Sequence, residues 1–94
     1  MIGAIIGDIV GSRFELFNHR SKDFELLSPK CFFTDDSVMS LAVCDALMKC
    51  TENFSDLSAQ AVSSMQEVGR HYRHCGYGGS FFRWMYSNNP KPYN

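Results

Sequence analysis

Residues 34–50 read TDDSVMSLAVCDALMKC, and this stretch decides the fold. Thr34 is a good N-cap, and Asp35 and Asp36 suit the positive end of a helix dipole. Val38, Met39, Leu41, Ala42, Val43, Ala46, Leu47 and Met48 then follow, interrupted by Ser40 and Asp45. The spacing predicts a helix from Thr34 to about Cys50 that is apolar on nearly every side. Such a helix belongs in the centre of a sizeable protein.

Upstream lies IGAIIGDIVGSRF, residues 2–14, with Gly3, Gly7 and Gly11 at intervals of four. On a helix these glycines stack along one face, where a neighbouring helix can approach closely. Glycine is a poor helix former, so three in one helix need a packing reason. A dinucleotide loop is set aside, because GxxxGxxxG is not GxGxxG and no strand precedes it. The same spacing puts Asp8, Ser12 and Glu15 on one polar stripe. Residues 16–33 read as a loop, broken by Asn18, Ser21, Ser28 and Pro29. It is long for a compact domain, and long loops are often functional.

Downstream, Ser55 is expected to cap a third helix with Leu57, Ala61, Met65, Val68 and Tyr72 as its buried stripe. Gly76, Gly78 and Gly79 break it, and a short helix follows from Phe81 to Tyr86. No strand pattern is convincing, so the expected class is all-α. Ninety-four residues suffice for one small domain. The net charge of −1 gives no electrostatic footprint for nucleic acid or an anionic membrane. The apolar start, Met1 to Val10, has no basic flank, contains Asp8 and is too short to span a bilayer. A cytoplasmic protein is expected. Cys31, Cys44, Cys50 and Cys75 show no CxxC spacing and read as free thiols.

The strongest chemical candidate is Thr34-Asp35-Asp36, one hydroxyl and two carboxylates at a helix start. Magnesium takes oxygen ligands of this kind, although a capping threonine followed by acids is also a common way to begin a helix. Glu15 is the second candidate, a carboxylate where the helix dipole disfavours one. Asp8 reads as a hydrogen-bonding or helix-linking group. His71, His74 and Cys75 lack a fourth ligand at zinc spacing and read as polar helix-end residues. Arg70, Arg73 and Arg83 read as surface charges.

The segments GAIIGDIVGSRFE (Gly3 to Glu15) and FFTDDSVMSLAVCDALM (Phe32 to Met48) together resemble the ADP-ribosylglycohydrolase family. That family opens with a GxxxGDxxGxxxE helix, a loop and a TDDT-type metal motif beginning a central helix. GYGGSFFRWMYSNNPKPYN (Gly76 to Asn94) resembles its GYG…W…P…YN segment, and Ser37 stands in place of the motif's last threonine. The resemblance implies the N-terminal helices of an orthogonal helical bundle, with residues 1–94 as a partial domain. It implies dimagnesium-dependent hydrolysis of the glycosidic bond between ADP-ribose and a protein side chain or small molecule, with manganese in some members. Thr34, Asp35 and Asp36 would be metal ligands. Glu15 would be a ligand or the group that orients or deprotonates water, and Glu15, Asp35 and Asp36 together would form the catalytic set.

The family's GNG segment and distal DTD-type metal motif do not occur among these residues. The expectation is therefore a fragment inactive on its own. Two alternatives are a non-catalytic helical module derived from the family and a cation-binding protein unrelated to ADP-ribose. The apolar central helix has three short helices to cover it, so self-association is expected, through Val38, Leu41, Met48 or the pair Phe81 and Phe82.

Overall fold

Thr34 caps its helix as the sequence implies. Its hydroxyl accepts the Asp36 N–H at 3.3 Å, and its backbone is extended at φ −119° and ψ −170°. In the computed structural model, which describes residues 1–93, four α-helices follow in order. These are α1 (Ile2–Gly11), α2 (Asp35–Lys49), α3 (Leu57–His71) and α4 (Gly79–Met85). A 3₁₀ turn, Ser12–Phe14, extends α1, and no strand occurs among the described residues. The class is all-α.

The core is a seam along one side of α2. Val38, Ala42 and Ala46, four residues apart, are buried, and α3 packs along α2 more extensively than α1 does. The opposite side stays in water, with Leu41, Val43, Leu47 and Met48 between 41 % and 75 % exposed. Covering this helix on all sides needs more partners than α1, α3 and α4 supply. Val38, expected at an outer contact, instead belongs to the core. Phe81 is half-buried, with Tyr77, Trp84 and Tyr93 ring centroids 5.0–5.7 Å away.

α3 departs from its expected pattern in two ways. Its N-cap is Asp56, one residue later than Ser55. The Asp56 carboxylate is held by the Thr51 N–H and hydroxyl, both at 3.0 Å, and by the Gln60 amide. The most buried residues are then Ser64, Gln66 and Gly69, while Leu57, Ala61, Met65 and Val68 are half-buried and Tyr72 is exposed. Small and polar groups take the inner positions because α3 meets its neighbours through specific contacts. Ser64 donates to Asp45 at 2.7 Å, and Gln66 donates to the Trp84 and Ser87 carbonyls. At Gly69 a Cβ would sit 2.3 Å from the Met85 sulfur, so only glycine admits this approach. Arg70 is exposed, as expected, and also donates from Nε to the Met85 carbonyl at 2.6 Å, tying α4 to α3.

α1 buries no residue at all. A Cβ built at Gly3, Gly7 or Gly11 would meet nothing within 4 Å, so no helix among the described residues makes the expected close approach. Ile5 and Ile9, both half-buried, share an apolar cavity with Val38 and Leu41 of α2. The glycine side is left bare.

The result is an open molecule. Its radius of gyration is 15.4 Å, against about 12 Å for a compact domain of this length. Its accessible surface is 7006 Å², against roughly 5,500 Å² for a folded monomer of this mass. No helix is long and apolar enough to cross a membrane among the described residues.

Candidate metal site

The junction of α1 and α2 is organised by one carboxylate. Asp8 accepts four hydrogen bonds, from the Thr34 N–H (2.7 Å), the Thr34 hydroxyl (2.5 Å), the Ser37 N–H (3.3 Å) and the Ser37 hydroxyl (2.6 Å). Burial alone would push its carboxyl up. The bonds from Ser37 and Thr34 outweigh that and hold it below the usual carboxylate value. Four residues on, Ser12 donates to the Ile9 carbonyl and accepts the Phe32 N–H at 3.0 Å. The polar stripe of α1 thus seizes the chain as it enters α2.

This arrangement prepares Thr34. Its proton is committed to Asp8 and one lone pair to the Asp36 N–H, leaving the other lone pair for a cation. The first N–H of α2, from Asp35, donates to the Cys75 carbonyl at 2.8 Å, so the segment after α3 also fixes the helix start. Gly76 makes that turn at φ +92°, and a Cβ there would lie 4.0 Å from the Asp35 carboxylate.

The two motif carboxylates diverge around Thr34. Asp35, half-buried, lies beside Gly76. Burial pushes its carboxyl up, and the neighbouring charge of Asp36 adds to the effect. The Cys75 thiol is raised as well, first by burial and then by the charges of Asp35 and Asp8. Tyr77 is pushed up to about 12, chiefly by burial, and its hydroxyl is buried with no hydrogen-bond partner among the described residues.

Asp36 is exposed and turned towards α1. It lines a cavity of about 570 Å³ together with Gly7, Asp8, Gly11, Ser12 and Glu15. Glu15, exposed at the end of the 3₁₀ turn, therefore shares a cavity with Asp36, and the bare glycines form the wall between. Thr34 and Asp35 do not line that cavity.

The donors suit a hard divalent cation in kind, being one hydroxyl and two carboxylates. The Asp35 carboxyl is raised first by burial and then by the charge of Asp36, and a cation would relieve the second of these. In number they fall short: among the described residues no three His, Cys, Asp or Glu side chains gather as a metal-binding group. His71 and His74 are exposed, and His74 is bonded to Arg73 Nε at 3.1 Å.

Sequence spacing missed the Cys75 carbonyl, because a backbone acceptor 40 residues away leaves no local pattern. The chain matches no protein-family model, no curated protein and no solved structure.

Proposed function

We propose that this chain supplies the first half of an ADP-ribosylglycohydrolase site, within the N-terminal helices of that family's orthogonal bundle. The full site would carry out dimagnesium-dependent hydrolysis of the bond between ADP-ribose and a protein side chain. The observation that carries it is the Thr34-Asp35-Asp36 triplet at the first turn of α2, pinned by Asp8 and flanked by Glu15 across one cavity. Free cysteines, all four half-buried, accord with a reducing compartment and a cytoplasmic enzyme.

In this role Thr34, Asp35 and Asp36 would hold magnesium. Bound magnesium would fix the ribose hydroxyls and stabilise charge developing at the glycosidic bond. Asp8 takes the Thr34 proton in a hydrogen bond and so leaves the hydroxyl oxygen as an acceptor. Glu15 orients water on the cavity side and accepts its proton as it attacks, a task suited to an exposed carboxylate with no hydrogen-bond or ion-pair partner among the described residues.

The test is release of ADP-ribose from an ADP-ribosylated protein. The chain alone is expected to be inert, and fusion to a distal segment carrying GNG and DTD-type motifs is expected to restore magnesium-dependent release that chelator abolishes. Release by the chain alone, above an Asp35→Ala and Asp36→Ala control, would show that the site is already complete. A folded fusion that stays inert would favour a non-catalytic helical module.

The uncovered side of α2 carries a second expectation. The surface excess is roughly 1,500 Å² for one chain, and standard protein interfaces bury about 800 Å² on each partner. The isolated chain should therefore self-associate through Leu41, Leu47 and Met48, and light scattering should show a mass that falls on dilution and on Met48→Lys. A monomer at high concentration would refute it.

A further inference from the structure

Two apolar features sit towards opposite ends of α2, one a hole and the other a projecting ring. The hole is a cavity of about 280 Å³ beside the first turns of α2, walled by Ile5, Ile9, Phe33, Val38, Leu41 and Tyr72. It opens to water, since Phe33, Leu41 and Tyr72 are each nearly half exposed. A dry cavity of about 150 Å³ already accepts benzene, so there is room here for one aromatic side chain.

The ring is Phe54, in the turn between α2 and α3. Its φ is +55°, a left-handed conformation that bulky side chains rarely adopt. Its N–H donates to the Thr51 carbonyl at 2.9 Å, and its carbonyl accepts the Leu57 N–H at 3.1 Å, so hydrogen bonds close the turn on both sides of it. The ring stays 53 % exposed. Strained backbone of this kind concentrates at functional sites and clamps.

Between hole and ring lie Leu41 and Met48, seven residues apart and so on one side of α2. Both are exposed, and Leu41 also walls the cavity, which makes that side continuous with the hole. We infer that a second copy of this chain docks here by two-fold symmetry, its α2 antiparallel to the first, with the Phe54 ring of each copy seated in the cavity of the other. This rests on the self-association stated above and names its register. With Leu41 against Met48 of the second copy, the turn after Met48 falls past the opposing Leu41, towards the cavity. The same contact is made twice, so the assembly closes at two copies. The surface excess of roughly 1,500 Å² per chain exceeds the about 800 Å² per partner that a standard interface buries. An aromatic side chain entering a well-packed pocket is a common anchor of such contacts.

The experiment is light scattering of the whole chain over a concentration series, with and without Phe54→Asn. The parent should reach twice the chain mass and stop there, and Phe54→Asn should raise the dissociation constant about tenfold or more. Asparagine tolerates the left-handed backbone, so the dilute variant should unfold within about 4 °C of the parent. In a mixture of labelled and unlabelled copies, isotope-filtered NMR should show the Phe54 ring of one copy touching the Ile5 or Ile9 methyl groups of the other. A monomer at high concentration would overturn both the pairing and the self-association beneath it. A dimer that Phe54→Asn leaves intact, or one without those contacts between copies, would overturn the pairing while self-association stands. Growth beyond two copies would overturn the two-fold geometry.

Discussion

α2 is gripped differently at its two contacts. Its packed side carries the buried Val38, Ala42 and Ala46, and α3, its main neighbour, in turn holds α4 through Gly69, Arg70 and Met85. Towards α1 the grip is mainly one carboxylate, Asp8, taking four hydrogen bonds, and α1 itself buries nothing. Apolar packing spreads stability over many atoms, whereas a single polar knot concentrates it in one residue. The packed side holds the fold, and the knotted side carries the candidate chemistry.

The largest effect should come from the packed side. Met85 is fully buried, and Met85→Ala should cost about 3 kcal/mol, close to the whole stability of so small a core. Denaturant unfolding should show a transition shifted or lost throughout the chain. A change under 1 kcal/mol would mean that the packing of α4 on α3 is not a stabilising element.

Asp8→Ala should come next, at about 2 kcal/mol, since it leaves the donors of Thr34 and Ser37 without their acceptor. Hydrogen exchange should show α1 and the first turn of α2 losing protection while α3 keeps it. The pH dependence has a definite sign. A carboxyl held below its unfolded value stabilises the fold above about pH 4, and that contribution is lost as pH falls through the lower folded value. The parent should weaken in acid more steeply than Asp8→Ala. Parallel pH curves, or uniform loss of protection, would break the contrast between the two contacts.

Asp35 should behave in the opposite sense. Its carboxyl is raised, so the folded state binds that proton more tightly than the unfolded chain does. Ionisation at neutral pH therefore costs stability, and the deficit is relieved as pH falls through the raised value. Asp35→Asn should be neutral or stabilising by less than about 1 kcal/mol, read as a small rise in Tm. A clear loss of stability would make Asp35 a structural residue like Asp8, and would count against a role in binding a cation.

The parts legible in the sequence share a feature: each is written in contiguous residues. Thr34 followed by two acids and an unbroken apolar run gave α2 within a residue at each end. The four-residue spacing put Asp8 and Ser12 on one stripe, and both reach the entry to α2. The parts that were not legible depend on distant partners. Gly69 and Gln66 are inner residues of α3 because of Met85, Trp84 and Ser87, and no periodicity within α3 reports that. Gly3, Gly7 and Gly11 showed the converse, a local pattern that no helix among the described residues packs against. In the candidate site, proximity of Asp35 and Asp36 in sequence did not fix their directions. Successive helix positions turn by about 100°, and the two carboxylates face different neighbours.

The smallest effect should be the one produced by magnesium itself. Thr34, Asp35 and Asp36 supply three oxygens, and the two carboxylates diverge, so a cation held here keeps most of its water. An affinity on the order of 10 mM is expected of such a site, and 10 mM magnesium would then stabilise the fold by about 0.4 kcal/mol. In a chain of this length that is a rise in Tm of about 2–3 °C. Sodium at equal ionic strength should not reproduce it, because screening acts on all exposed charges and not on this triplet alone. The rise should vanish in Asp35→Asn combined with Asp36→Asn, a pair chosen because it removes the charge and keeps the shape. It should survive in Glu15→Gln if Glu15 serves water, and shrink if Glu15 is itself a ligand. A rise that persists in the double substitution would move the cation elsewhere and leave Thr34-Asp35-Asp36 as the start of a helix and nothing more.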